Sequence, residues 1–260
     1  MTYPRTAEFA DILYEAGIIR RAISPLSDAD PSFSAADAYA VQLYNVKRWT
    51  GLGRVISGKK IGLTSKGMQD QLGVNEPDYG HLFGDMDHSR DGKIPTDEFL
   101  QPKIEAEIAF ILKEDLSGGE VTGDDVMDAA EFVAGAFEIV DSRIRDWKLK
   151  LPDTVADNAS SGCYVLGEKR IPPRSADLSA ITMQLFKNGE LAGQGKGNAV
   201  LGNPANSVAW LSNKLWQYGV VLKKGEVVLS GALSAAPGAS RGDVFEARFS
   251  VFGNIVAEFV

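Results

Sequence analysis

From Val55 to the C-terminus the chain is cut into short runs rich in β-branched and aromatic residues, separated by turns bearing glycine. The runs are RVISGKKIGLT, KIEAEIAFIL, GAFEIVDSR, GCYVLG, ITMQLFKNGELAG, GEVVLSG and VFEARFSVFGNIVAEFV. Residues of this kind, in runs this short, suit strands, so this part of the chain must build sheets and not a helical bundle. Asn188-Gly189, between two alternating segments, signals a tight antiparallel hairpin. Ahead of this region the period is helical: Phe9, Ile12, Leu13 and Ala16 share one helix face, and Ser34 with Asp37 forms a capping box for a helix running to about Trp49. Further helices are expected at about Ser65 to Leu72, at Gly123 to Glu131 behind a Thr122/Asp125 capping box, and at Pro204 to Tyr218 with Asn203 as cap and Gly219 as stop. The expected class is α+β with a mostly antiparallel core, organised as a helical N-terminal region over residues 1–54 and a β-rich domain over 55–260.

One strand in this pattern carries an unusual load. In KIEAEIAFIL, alternation puts Ile104, Ala106, Ile108 and Phe110 on one face and Glu105 with Glu107 on the other. Two like charges projecting together repel, and carboxylates removed from water need a partner or a metal. An edge strand with a wet outer face would also tolerate them. A third carboxylate, Glu138, stands alone among hydrophobes in GAFEIVDSR, where either Arg143 or Arg145 could pair with it. Three such carboxylates would suit octahedral magnesium or manganese, with coordination positions left for water or substrate. The chain holds two histidines and one cysteine, so a Cys/His zinc site is nearly excluded and oxygen should hold any metal.

Composition narrows the partners. The 260 residues are 44% hydrophobic, enough for a sizeable core, and no apolar run approaches the ~20 residues that span a bilayer. No membrane partner is therefore expected, and with no signal-peptide layout before Arg20 the expected location is the cytoplasm. A net charge of −8, with no basic cluster longer than a pair, argues against nucleic acid. Cys163 cannot form an internal disulfide and reads as a packed strand thiol.

Three motifs fail on context. GRVISGKK has Lys60 where a phosphate-binding loop needs Ser or Thr, and GQGKGN follows a hairpin without a strand-to-helix crossover. DHSRDGKIPTDE, Asp87 to Glu98, matches a calcium loop by spacing, but Gly80, Gly84 and Pro102 leave no room for flanking helices. It reads as a polar hairpin loop, with a non-enzymatic calcium-binding module as a distant alternative.

KKIGLTSKGMQDQLGVNEPDYGHLFGDM, PKIEAEIAF, EIVDSRIRDWKLKLPDTVADNASSG and GEVVLSGAL together resemble the fumarylacetoacetate hydrolase superfamily. Within it they are similar to the 2-hydroxypenta-2,4-dienoate (2-oxopent-4-enoate) hydratases, the 2-oxohept-3-enedioate hydratases and the 4-oxalocrotonate decarboxylases. The resemblance runs from about Gly58 to the C-terminus. It implies a homo-oligomeric, metal-dependent enzyme of aromatic-compound degradation, a hydro-lyase whose small-molecule substrate is a 2-hydroxydienoate or 2-oxoenoate and whose catalytic domain is the β-rich one. Mg2+ or Mn2+ would be held by the residues matching Glu105, Glu107 and Glu138. The resemblance also implies an active-site lysine at Lys60, and pocket positions at Asp78 and Ser161, which could position water or the substrate carboxylate. In a strand, Lys60 shares a face with the small Gly62, which leaves room for a ligand, while the adjacent Lys59 is expected to be ordinary and solvated.

Two departures bear on this. LGNP, Leu201 to Pro204, stands where similar enzymes usually read LGHP, and Asn203 cannot shuttle a proton. The loop Ala232 to Arg241 is alanine-rich, offering an apolar wall for a short monocarboxylate tail, unless Arg241 points inward and favours a dicarboxylate. The hydratase wording of DSRIRDWKLKLPDTVADNASSG favours water addition; decarboxylation is the alternative.

Overall fold

The computed structural model describes residues 3–65, 69, 74 and 76–260. The helix expected over Ser65 to Leu72 lies largely outside the described residues. Three helices lead: α1 (Thr6–Ile19), the short α2 (Leu26–Ala29) and α3 (Ala35–Gly51). The Ser34/Asp37 capping box forms in both directions, with Ser34 Oγ accepting from Asp37 N and the Asp37 carboxylate accepting from Ser34 N.

Among the described residues eleven strands follow: β1 (Ile56–Gly62), β2 (Asp78–Phe83), β3 (Lys93–Ile94), β4 (Lys103–Leu112), β5 (Ala130–Val140), β6 (Ser161–Ile171), β7 (Thr182–Lys187), β8 (Glu190–Lys196), β9 (Val227–Ala232), β10 (Val244–Phe249) and β11 (Gly253–Phe259). They build a six-stranded sheet, β2-β1-β9-β4-β5-β6, and a five-stranded sheet, β3-β11-β10-β7-β8. Among the described residues the parallel pairs are β1 with β9 and β3 with β11; the other pairs are antiparallel, as an α+β chain with hairpin turns requires. Asn188 and Gly189 both take positive φ in the β7–β8 turn, the geometry a two-residue hairpin needs.

Strand β4 is central, so the edge-strand reading of its glutamates does not hold. The Ile104 face meets the second sheet: Gly135, opposite Ile108, lies so close to Phe249 and Ile255 that a Cβ would overlap both. Burying side chains such as Ile108 and Phe110 there contributes about 1.5–3 kcal/mol each. The glutamate face is left to the helices and the loops around β6 and β9.

The later helices are α4 (Gly123–Ala129), α5 (Leu151–Ala156) and α6 (Pro204–Trp216). Helix α4 stops short of the expected Glu131, because Ala130 onward is drawn into pairing with β4. Asn203 caps α6 by accepting from Ala205 N. Helices α2 and α5 are too short to announce themselves by periodicity and hold each other: Asp153 accepts from Ser27 N at 2.9 Å and from Ser27 Oγ at 2.7 Å. Among the described residues, no helix is long and apolar enough to cross a membrane.

Candidate active site and metal centre

In the β4–β5 ladder Glu138 stands directly opposite Glu105, with Glu107 two residues along on the same face. Each of the three offers a carboxylate oxygen within 4.8 Å of the others'. Opposed like charges on adjacent strands destabilise a sheet unless a cation lies between them. Glu107 and Glu138 are fully buried, and Glu105 nearly so. Among the described residues, Glu107 Oε1 and both Glu138 oxygens lack an aligned hydrogen-bond donor, although Lys60 Nζ lies 3.3 Å from Glu138 Oε1. Glu107 Oε2 accepts from Gly231 N at 2.8 Å, where an extra residue in β9 breaks the β4 register and turns that N–H inward.

Burial pushes all three carboxyls above their usual range. For Glu107 the charges of Glu138 and Glu105 add to it. For Glu138 the lysine at Lys60 opposes burial, and the carboxyl comes to about 8. A buried, all-oxygen cluster of three carboxyls with unused lone pairs fits a hard divalent cation, whose charge would favour their ionised forms. Arg143 pairs instead with Asp157, and Arg145 reaches Ala22 O, so neither arginine serves Glu138.

The cluster adjoins a pocket of about 450 Å³ lined by Glu105, Lys60 and Asp78. Strands β1 and β2 set Gly62 opposite Asp78 and Gly80 opposite Lys60. The missing side chain at Gly62 is what lets the two charges face each other: a Cβ there would strike Asp78 Oδ1 and sit 3.2 Å from Lys60 Nζ. Burial pulls the Lys60 ammonium down, but Glu138, Asp78, Glu105 and Glu107 outweigh it and hold its proton more tightly than in an ordinary lysine. Lys59 points the other way and is not solvated as expected. It is buried against Glu226, with Nζ 2.8 Å from Oε1, because β1 is covered on both faces.

Ser161 is turned from this pocket: its Oγ donates to Asn158 O at 2.8 Å, and it lines a separate groove beneath α1. Ser160 lines the Lys60 pocket instead. The phase is set by Asn158, Ala159 and Ser160, three successive non-glycine residues at φ 56°, 50° and 54°. Asn158 is held there by its side chain, which accepts from His81 N and donates to His81 O. Thr154, Lys103 and Trp147 also reach the pocket and were not singled out by the sequence. Lys103 shares the face of Glu105 by strand alternation, a signal that was there to read; its Nζ lies 4.2 Å over the Trp147 ring. Asn203 lines a different groove, with Thr122 and Arg174. Of the alanine-rich loop, Ala235 and Ala236 reach the pocket, whereas Arg241 bonds Asp97 Oδ1 at 3.0 Å on the surface. Residues 87–98 form turns around the two-residue β3, with single 3-10 turns at Gly84–Met86 and Thr96–Glu98 and, among the described residues, no α-helix adjoining the loop as a calcium-binding helix-loop-helix needs.

Residues 86–260 match the fumarylacetoacetate (FAA) hydrolase C-terminal family. The chain is 46% identical over 259 residues to a 2-keto-4-pentenoate hydratase of Paraburkholderia xenovorans (strain LB400), covering 100% of this chain and 96% of that protein. It is 46% identical over 250 residues to a 2-hydroxyhexa-2,4-dienoate hydratase of Comamonas testosteroni, covering 95% and 94%. Among solved structures, the 4-oxalocrotonate decarboxylase of Pseudomonas putida G7, complexed with magnesium and adipate, superimposes with a TM-score of 0.96 at 33% identity, over 100% of this chain and 99% of that one.

Proposed function

This chain belongs to the fumarylacetoacetate hydrolase family, and from that premise we propose that it is a divalent-metal-dependent hydratase. It adds water to 2-hydroxypenta-2,4-dienoate (2-oxopent-4-enoate) to give 4-hydroxy-2-oxopentanoate. The observation that carries the reading is the buried Glu105–Glu107–Glu138 cluster beside a pocket that holds Lys60 and Asp78. Full-length similarity to dienoate hydratases supports the reaction and the small-molecule substrate.

Hydration must move protons to two carbons. The C2 hydroxyl loses its proton as C2 becomes a carbonyl, C5 gains one, the water oxygen joins C4 and C3 gains the last proton. Glu105, Glu107 and Glu138 would hold Mg2+ or Mn2+, which when bound supplies Lewis-acid stabilisation of charge developing at the C2 oxygen. Lys60 Nζ lies at the pocket wall and would deliver a proton to carbon. Asp78 Oδ1 is buried, without a donor among the described residues, and would accept a proton from the attacking water. Leu63, Val140, Leu149, Ala235 and Ala236 line the same pocket and suit a short apolar tail while excluding water from the reacting carbons.

The test is mass analysis of products from enzymatically generated 2-hydroxypenta-2,4-dienoate and its dicarboxylate analogues. The expected result is gain of one water, with the monocarboxylate preferred and Arg241→Ala without effect on that preference, since Arg241 is engaged with Asp97. Loss of carbon dioxide, or a dicarboxylate preference that vanishes in Lys103→Ala, would overturn the assignment in favour of a decarboxylase or a dicarboxylate hydratase.

A further inference from the structure

Among the described residues, one oxygen of Asp78 is bonded and the other has no donor. Thr154 Oγ1 donates to Asp78 Oδ2 at 2.6 Å, while Oδ1 has no hydrogen-bond donor among the described residues. Both side chains line the pocket, and both are almost completely buried. We infer that Thr154 is a positioning residue for the hydration step, fixing the Asp78 carboxylate so that Oδ1 is the oxygen presented to the reacting water. This rests on the hydratase reading above.

The surroundings hold this pair as a unit. Gln42 on α3, wholly buried, uses its Nε2 to donate to Val155 O at 2.7 Å and to Tyr79 O at 2.8 Å. Those carbonyls belong to the residues immediately following Thr154 and Asp78. A single side-chain amide thus clamps the two backbones that must stay in register for the Thr154–Asp78 bond. Asp153, immediately before Thr154, is tied to Ser27 as described and accepts from Lys150 N at 2.9 Å, which fixes the helix start. On the far side, the missing Cβ of Gly62 leaves the space that Asp78 Oδ1 occupies beside Lys60. A carboxylate with two equivalent oxygens and a rotatable χ2 gains a defined orientation from such a donor. The leading helices therefore align a proton acceptor and do more than cover the sheet.

The experiment compares Thr154→Val, which keeps the shape and removes the hydroxyl, with Thr154→Ser, which keeps the hydroxyl and removes the methyl. Each is assayed with magnesium for kcat and KM on the pentadienoate and crystallised in parallel with the wild type. The expected outcome is a kcat about 10²-fold lower in Thr154→Val with KM little changed, near-normal kcat in Thr154→Ser, and an Asp78 carboxylate rotated only in the valine variant. In an Asp78→Asn background, Thr154→Val should add little, since it acts through Asp78. A serine variant as impaired as the valine one, or an Asp78 unmoved in Thr154→Val, would overturn the inference by assigning Thr154 to packing. Should the wild type fail to hydrate the dienoate, the functional reading falls, whereas the Asp78 orientation in the two variants still decides the positioning role.

Discussion

Replacing Glu138 with glutamine should abolish turnover and Mg2+ binding together, while leaving a folded protein. Glu138 sits opposite Glu105 across the β4–β5 ladder, wholly buried, and neither of its oxygens accepts an aligned hydrogen bond from the described residues. Glutamine fills the same space, but it removes one of the three negative charges that would bind the cation and leaves a weaker neutral oxygen donor. In the wild type, a cation that binds only the folded chain stabilises it by about 2.7 kcal/mol at a hundredfold excess over its dissociation constant. Thermal melts with and without chelator should therefore separate for the wild type and coincide for Glu138→Gln, with calorimetric titration of Mg2+ reporting binding directly. Full turnover in excess chelator, or undiminished Mg2+ affinity in the variant, would refute the metal assignment.

The adjacent lysines should fail in different ways. Lys60→Ala is expected to lower kcat by about 10²–10⁴-fold, the usual contribution of a positioned proton-transfer group, with a smaller effect on Mg2+ affinity. Lys59→Ala should leave the pocket chemistry intact but cost about 3–5 kcal/mol of stability, because Glu226 would lose its cation inside the fold. Denaturant melts and initial rates on both variants separate the two effects. A folded, stable Lys59→Ala protein without turnover would show that the roles of the two lysines are reversed.

Helix α3 and its capping box, the β7–β8 turn and the full extent of β4 were legible because each is specified by neighbours in sequence: a cap three residues from its partner, a turn needing positive φ, a two-residue alternation. Alternation also put Glu105 and Glu107 on one face before any fold was known, and isolation among hydrophobes marked Glu138. The facing of Glu138 against Glu105 depends on the β4–β5 register, which only the assembled sheet decides. The burial of Lys59 required both faces of β1 to be covered, which nothing in GKKIG can report. Ser160 displaces Ser161 at the pocket because a left-handed turn, held by Asn158 bridging to His81, resets the phase just before β6. Thr154 meets Asp78 across 76 residues of chain, and no local pattern encodes a contact at that separation. The sequence by itself determined which elements form and which residue types carry charge into the core. The tertiary structure decided which charges meet, because register, burial and long-range hydrogen bonds are properties of packed elements and not of any one of them.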